Sequence, residues 1–377
     1  MSPTRIIELA RIIVDSTQTV DEYFTARNIA SPSFGIHGSS TIIIQPEVPE
    51  VAVAHAAVID ATKELHSLML GPTALLMNNG LNDVLGLHAI YQYKIASTFP
   101  VDEEASFKQI SAACGLNEPD LRRLLRHAMT NHIFREPRDG VVAHSASSRL
   151  LIENPLINDF VGILCEERFP AAARTIDALK KYGSPKDPAQ TGFFLGHNTN
   201  KGLYDKLQQR QKRSRRFAGT ISAFASKIPL EPLRSGFDWG SLRNATIVDV
   251  GGGHGPVSIG LAETFPDLKF IVQDLPDVVE GAPVGFPAEV EGRVSFMIYN
   301  FLEVQPIKGA RVYFFRAVFH NWPDEYRIKI LRNQIPALGH GTHLIINESC
   351  LNRTESLPAF MQKRRRYGPI SQLSHSR

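Results

Sequence analysis

Short apolar runs alternate with helical stretches along residues 246–347. Apolar runs of this length predict strands that are buried on both faces, as in parallel sheets covered by helices. The predicted strands are Thr246–Val250, Lys269–Gln273, Val294–Tyr299, Arg311–Phe315 and His343–Asn347, and the predicted helices are Val257–Thr264 and Asp324–Ala337. The sequence from residue 241 onward therefore predicts an α/β unit.

The first half of the chain has a helical period. Met1–Val20 reads as an amphipathic helix, and Ser31–Glu50 is rich in Ser, Gly and Pro, as in a linker. Helices are predicted at Leu81–Ala96, Ser106–Cys114 and Glu118–Asn131, followed by a hairpin at Asp139-Gly140. Helices followed by a hairpin predict a winged helix. We divide the chain into a helix and linker (1–50), a winged-helix dimerisation unit (51–154), a helical connection (155–240) and an α/β unit (241–377).

Composition and charge favour a globular protein over a membrane protein or a nucleic-acid-binding protein. The 377 residues are 43% hydrophobic and 21% charged, which is globular composition. The net charge is only +3, the three cysteines show no metal or disulfide spacing, and no run of 18 apolar residues occurs. We expect a cytoplasmic protein that binds neither nucleic acid nor membrane.

The winged helix leaves one alternative to this expectation. In DNA-binding proteins of this shape the second helix of the motif enters the major groove, which here would present Arg122, Arg123 and Arg126. A winged helix also serves as a dimerisation unit in many enzymes. The lack of a strong basic excess favours the second interpretation, with a homodimer as the expected assembly.

A glycine-rich loop follows the first predicted strand of the α/β unit. The strand runs into Gly251-Gly-Gly-His-Gly255, and Pro256 stands where a dinucleotide-binding loop has its third glycine. The next strand is followed by Asp274, whose carboxylate can accept hydrogen bonds from both ribose hydroxyls. This spacing predicts an S-adenosylmethionine site that includes Gly251, Gly253 and Asp274, although a plain tight turn with a strand-end acid is the alternative.

A second polar turn follows a later strand. In Tyr313-Phe-Phe-Arg-Ala-Val-Phe-His-Asn-Trp-Pro-Asp-Glu325 the histidine comes after the strand's carboxyl end, the edge where open α/β sheets bind ligands. A neutral imidazole there could take the proton of a phenol during methyl transfer. His320 is therefore the candidate base.

The loop Val248-Asp-Val-Gly-Gly-Gly-His-Gly, Gln273-Asp-Leu-Pro and His320-Asn-Trp-Pro-Asp-Glu together resemble the plant and fungal small-molecule O-methyltransferases related to caffeate O-methyltransferase. The resemblance implies a Rossmann-like class I methyltransferase sheet with an N-terminal winged-helix dimerisation domain. It also implies that His320 is the general base, that Glu348 steers it, and that Asn300, Phe301 and Arg316 are further cofactor contacts. Asn300 and Asn321 stand where the family usually has aspartate.

The candidate substrate-binding residues are mostly aromatic. Aromatic residues at helical spacing are more often core than pocket, yet four could line an aromatic pocket: Phe193, Phe194, Phe217 and Phe224. His132 would be a pocket group in a non-methylating relative of dehydratase or pericyclase type. The leading hypothesis is methylation of a phenolic or polyketide-type hydroxyl, with no metal.

The C-terminus departs from the family pattern, which has a further helix and a terminal β-hairpin. Only 27 residues follow Cys350, whereas those elements need roughly 40 to 60 residues. The sequence therefore predicts a truncated C-terminus with the hairpin missing in full or in part. An inactive remnant is the corresponding alternative function.

Overall fold

The computed structural model describes residues 3–42, 44, 48–77, 80–183, 190–199, 213, 216–217, 219–220, 230–282 and 287–348. These residues form two compact units, divided between Val161 and Gly162. In the order of the chain, the elements up to the division and across it are α1 (Arg5–Ala26), α2 (Pro49–Met77), α3 (Leu81–Gln92), β1 (Glu104–Ser106), α4 (Phe107–Cys114), α5 (Glu118–Thr130), β2 (Arg135–Arg138), β3 (Val141–Ala143), α6 (Ala146–Glu153) and α7 (Pro155–Ile163).

The two long helices at the start of the first unit pack against each other. Leu9 of α1 is buried, whereas Ile7 and Val14 of the same helix are 47% and 64% exposed. Helix α2 bends at Gly71, which has a φ of +72°, because the following Pro72 disfavours helical backbone in the residue before it. Helix α1 thus has an intrachain partner on one side and keeps an apolar face on the other.

The predicted helices and hairpin of the first unit are confirmed. Strands β2 and β3 form the hairpin, with Gly140 at a φ of +77°, and the sheet order is β1-β3-β2. Helix α3 ends four residues before the predicted Ala96, because Lys94 adopts left-handed backbone and Ile95–Ser97 form a separate 3-10 turn. The role of this unit as a winged-helix dimerisation domain stays a prediction.

The second unit begins with short helical pieces and continues as an α/β sheet. Leu164–Arg168 form one π-helical turn. The other elements are α8 (Phe169–Ala173), α9 (Thr175–Tyr182), α10 (Gly192–Gly196), α11 (Glu231–Ser235), β4 (Thr246–Val250), α12 (Pro256–Thr264), β5 (Lys269–Asp274), α13 (Pro276–Glu280), β6 (Val294–Ile298), β7 (Val312–Arg316), α14 (Asp324–Gln334) and β8 (His343–Asn347).

The five strands β4 to β8 form one parallel sheet in the order β6-β5-β4-β7-β8. Successive residues of a strand point to opposite faces of the sheet and so belong to different hydrophobic cores. Ile247 and Phe314 lie in one core with Trp239, whereas Val248 and Phe315 lie in the other. The sheet is therefore buried on both faces, and the carboxyl ends of its strands share one edge.

Every predicted strand of this sheet is confirmed to within one residue. In the described part of the chain, β6 and β8 are the two edge strands of this sheet. The predicted shortness of the C-terminus concerns residues 349–377, which lie outside that part, so it stays a prediction. Among the described helices, none is both long enough and apolar enough to cross a membrane.

Candidate active site

The glycine loop turns back sharply over the end of β5. The amides of Gly251 and Gly252 both donate to the carbonyl oxygen of Gln273, at 2.8 and 3.2 Å. Gly251, Gly253 and Gly255 all have a φ between +60° and +73°, where a side chain is strained. Within the described part of the chain, a Cβ at Gly253 would meet nothing within 4 Å. Open space therefore lies beside a loop that exposes bare backbone.

Asp249 lies beneath this loop and is only 2% exposed. Burial raises the pKa of its carboxyl to about 6, while a 2.6 Å hydrogen bond from Ser258 Oγ opposes the rise. A Cβ at Gly252 would lie 2.6 Å from Cγ of Asp249, so glycine is required there for steric reasons. Asp249 is not among the predicted site residues. A carboxylate in an otherwise apolar strand could have indicated it.

The acidic strand end contacts the glycine loop. Asp274 Oδ2 accepts from the amide of Gly253 at 2.8 Å, and Oδ1 accepts from the amide of Leu275 at 2.8 Å. Burial raises the pKa of Asp274, and these two hydrogen bonds counter part of the rise. The loop and the carboxylate thus form one arrangement whose remaining lone pairs can accept hydrogen bonds from a ligand.

Asn300 and Phe301 follow the next strand and belong to the same edge. The Oδ1 atom of Asn300 accepts from the amide of Leu302 at 3.0 Å, which leaves its NH₂ group as the donor. A Cβ at Gly251 would lie 3.5 Å from the Phe301 ring and 3.0 Å from Val318 Cγ2. Phe301 and the residues before His320 therefore meet the start of the glycine loop.

Arg316 ends β7 on this side of the sheet and is partly buried. Burial lowers the pKa of its guanidinium, and the negative charge of Asp249 acts in the opposite direction. Arg316 therefore brings a positive charge to an edge that also carries the carboxylates of Asp249 and Asp274.

His320 lies in the short 3-10 turn Phe319–Asn321 and makes a close pair with Glu348. Its Nδ1 is 2.6 Å from Glu348 Oε2, and the amide of Phe319 donates to Oε1 of the same carboxylate at 2.7 Å. Burial would raise the pKa of Glu348, but its hydrogen bonds with the His320 side chain and with the backbone amides of the turn outweigh it and leave the pKa lowered. The carboxylate thus binds both the imidazole and the backbone that carries it.

The candidate substrate residues are found in different surroundings. Phe193 is buried and packs against Ala171 and Phe217, so its ring is core of the second unit. Phe194 is partly buried and contacts the Tyr182 ring edge-on. Phe224 lies outside the described residues. His132 belongs to the first unit.

In that unit the His132 ring stacks on Phe34 at 3.8 Å and lines a cavity of about 570 Å³. The arginines that a DNA-binding winged helix would use also lie there. Arg126 binds Glu136 and Asp139, Arg122 binds Glu118, and Arg123 binds Asp120. Acidic neighbours within the unit therefore compete for all three guanidinium groups, which argues against a phosphate-binding face.

Comparison with known proteins identifies the family. Residues 201–364 match the model of the O-methyltransferase domain. A grayanic acid biosynthesis cluster O-methyltransferase of Cladonia grayi is 38% identical over 366 residues, which are 96% of this chain and 76% of that protein. The chain belongs to the S-adenosylmethionine-dependent O-methyltransferases. A chlorophenol O-methyltransferase of Trichoderma longibrachiatum is 34% identical, covering 96% of this chain and 79% of that protein.

Solved structures agree on the fold of this O-methyltransferase. OxaC in complex with SAH and oxaline has a TM-score of 0.73 at 20% identity, over 99% of this chain and 90% of that one. A pericyclic reaction enzyme has a TM-score of 0.67 at 24% identity, over 86% of this chain and 84% of that one. At these identities the likeness concerns the fold alone, and S-adenosylmethionine is the cofactor of the family.

Proposed function

We propose that this O-methyltransferase methylates a hydroxyl group of a phenolic or polyketide-type small molecule, with His320 as the general base. The observation that carries the proposal is the 2.6 Å pair between His320 Nδ1 and Glu348 Oε2 at the ligand-binding edge of the sheet. A histidine whose one ring nitrogen is bound to a carboxylate is oriented for proton transfer at the other.

The proposed cofactor contacts surround the glycine loop. Gly251 and Gly253 offer backbone without side chains, and the Asp274 carboxylate can accept hydrogen bonds from ribose hydroxyls. The NH₂ group of Asn300 suits an acceptor on the adenine edge, and the Phe301 ring supplies an apolar surface beside it. Arg316 adds a positive charge. When bound, S-adenosylmethionine supplies an electrophilic methyl group.

In the proposed mechanism, the side chains of the protein accept one proton from the acceptor. The Nδ1–H group of a neutral His320 donates to Glu348, so the lone pair is on Nε2. Nε2 would take the proton of the acceptor hydroxyl, and the Glu348 carboxylate would stabilise the imidazolium that forms. The bound cofactor would supply the methyl group to the acceptor oxygen and keep the electron pair of the broken carbon–sulfur bond on its sulfur. The His320 side chain is 37% exposed, so an acceptor can reach it.

The substrate class rests on two relatives and on the aromatic residues of the second unit. The names of these relatives refer to chlorophenol and to grayanic acid biosynthesis. Phe194 and Phe217 are partly buried aromatic residues that could contact an aromatic acceptor, with Phe193 packed behind Phe217. His132 and Phe224 remain candidate contacts from the sequence alone.

The homodimer is also a proposal. Ile6, Ile7 and Val14 leave an apolar face of α1 exposed in the first unit, and a second copy of the chain can bury such a face. Light scattering at micromolar concentration should give twice the mass of one chain, and a stable monomer would contradict the proposal.

The test of the function uses cofactor with a labelled methyl group and a panel of phenols. The wild-type protein should form a labelled methyl ether. His320→Gln should lower kcat by about 10²- to 10⁴-fold with little change in cofactor affinity, because the imidazole contacts the acceptor proton. His340→Gln, which changes an exposed loop histidine, is the matched control.

Two results would overturn the function. One is a His320→Gln variant with nearly parental turnover. The other is consumption of an acceptor without methyl transfer, which would favour the non-methylating chemistry of the dehydratase or pericyclase type.

A further inference from the structure

The ring, the amide and the carbonyl oxygen of Phe319, the residue before His320, all make contacts. Its ring is buried and packs against Phe315 at a centroid distance of 5.0 Å. Its amide donates to Glu348 Oε1 at 2.7 Å. Its carbonyl oxygen accepts from the amide of Trp322 at 3.1 Å and from Arg327 Nε at 2.8 Å. The backbone that leads into His320 is therefore fixed on both sides of one residue.

Arg327 is the part of this arrangement that the function above does not use. It lies in the first turn and a half of α14, where its own amide already bonds to the carbonyl of Pro323. Its Nη1 binds Asp324 on the same helix at 3.0 Å, which orients the guanidinium so that Nε faces Phe319. A charged donor makes a stronger hydrogen bond to a carbonyl than a neutral one does. Helix α14 thus binds the turn through a side chain.

We propose that Arg327 is a positioning residue for the general base: together with Glu348 it holds the Phe319 peptide groups so that His320 stays aligned. The inference rests on the proposed role of His320. Glu348 fixes the amide side of Phe319 and the imidazole, and Arg327 fixes the carbonyl side, which is the peptide bond to His320 itself. Loss of Arg327 removes the charged donor and leaves the Trp322 amide as the donor that the carbonyl keeps, so the peptide is held less firmly while the cofactor loop keeps its own contacts.

The test is a double-mutant cycle between Arg327 and His320. Arg327→Gln should lower kcat about 10- to 100-fold, since small misplacements of a catalytic group have effects of that size, and should change the cofactor Kd less than about two-fold. In the His320→Gln background the same change should alter kcat less than about two-fold, because a residue that acts only through His320 has nothing left to position. Lys329→Gln removes an exposed positive charge from the same helix and is the matched control.

A conservative variant guards against a folding defect. Arg327→Lys keeps the charge and can donate one hydrogen bond, so it should recover part of the lost kcat with a Tm close to that of the wild type. If Arg327→Gln does not fold, the cycle is run with Arg327→Lys. A loss of kcat that is seen in the wild-type background but not in the His320→Gln background then supports the inference.

Three results are distinguishable. Equal losses of kcat in both backgrounds, or an unchanged kcat in Arg327→Gln, overturn the positioning role and leave the proposed function intact. An unchanged kcat in His320→Gln overturns the proposed function and the positioning role with it.

Discussion

The glycine loop and the His320 turn lie at the same edge of the sheet but are held in different ways. The loop is held mainly by backbone: the amides of Gly251 and Gly252 bond to one carbonyl of β5, and the amide of Gly255 bonds to the carbonyl of Gly252. One side chain, Asp274, adds a hydrogen bond from the amide of Gly253. The turn is held by side chains, because Glu348 and Arg327 bond to the backbone of Phe319 from 29 and 8 residues away. Damage to the loop should therefore affect cofactor binding, and damage to the turn should affect turnover.

The largest effect is expected at Gly252, where the backbone arrangement is least tolerant. Gly252→Val would bring a Cβ to within 2.6 Å of the buried Asp249 carboxylate, so the loop has to move away from Asp249. We expect the affinity for S-adenosylmethionine to fall by more than about 100-fold, measured by calorimetry, since a displacement of about 1 Å can have an effect of that size.

A second glycine provides the control. A Cβ at Gly240 would meet Asp238 Oδ1 at 3.7 Å, an ordinary contact, so Gly240→Ala should bind the cofactor like the wild type. Cofactor affinity in Gly252→Val equal to that of Gly240→Ala would mean that the loop adapts, and the contrast between a backbone-held and a side-chain-held region would fail.

A smaller and different effect is expected at Glu348. Glu348→Gln keeps the shape of the side chain but removes the charge that pairs with His320, so the imidazolium formed during the reaction loses its partner. We expect kcat to fall about 10- to 100-fold with cofactor affinity unchanged. The measurement is steady-state turnover of the labelled methyl group, alongside a cofactor titration. A variant that instead loses cofactor binding would show that the turn and the loop are one unit.

This contrast also explains what the sequence predicts about the fold. Each strand of the sheet is a local apolar run between turn signals, and the predicted bounds differ from the observed ones by at most one residue at each end. The end of α3 was missed because Lys94 adopts a left-handed conformation that propensity does not favour for lysine. The apolar period also predicts an amphipathic helix near Leu203–Ile228, and most of that range lies outside the described residues.

The sequence also predicts some residues of the candidate site and not others. The spacing of a contiguous loop and a strand end predicts that Gly253 and Asp274 belong to one site, and the structure adds the hydrogen bond between them. The role of Glu348 is implied only by the family resemblance. The sequence does not predict the contact of Arg327, because no local pattern shows which distant side chain binds Phe319. Asp249 was quoted in the motif without a role, since its burial depends on the packing of the whole sheet.

The smallest expected effect concerns Asp249 and the stability of the loop region. Burial raises the pKa of this carboxyl from 3.8 to about 6 in the folded protein. The folded state therefore binds its proton more tightly than the unfolded state does, so the contribution of Asp249 to stability falls as the pH rises from about 4 to about 6. This direction is opposite to that of a carboxylate in a favourable ion pair.

Asp249→Asn should remove this dependence, because an amide does not titrate in that range. The difference in Tm between wild type and variant should change by roughly 5–10 °C between pH 4 and pH 7, in favour of the variant at the higher pH. One pKa unit corresponds to about 1.4 kcal/mol, and each kcal/mol moves Tm by about 2–4 °C in a unit of this size. Thermal melts in matched buffers measure it, and Asp238→Asn at an exposed turn provides a carboxylate control outside the core. A constant difference across this range would mean that Asp249 titrates normally in the folded protein. The loop would then pack on an ordinary ionised carboxylate, and the hydrogen bond from Ser258 would have to balance the effect of burial on the pKa of Asp249.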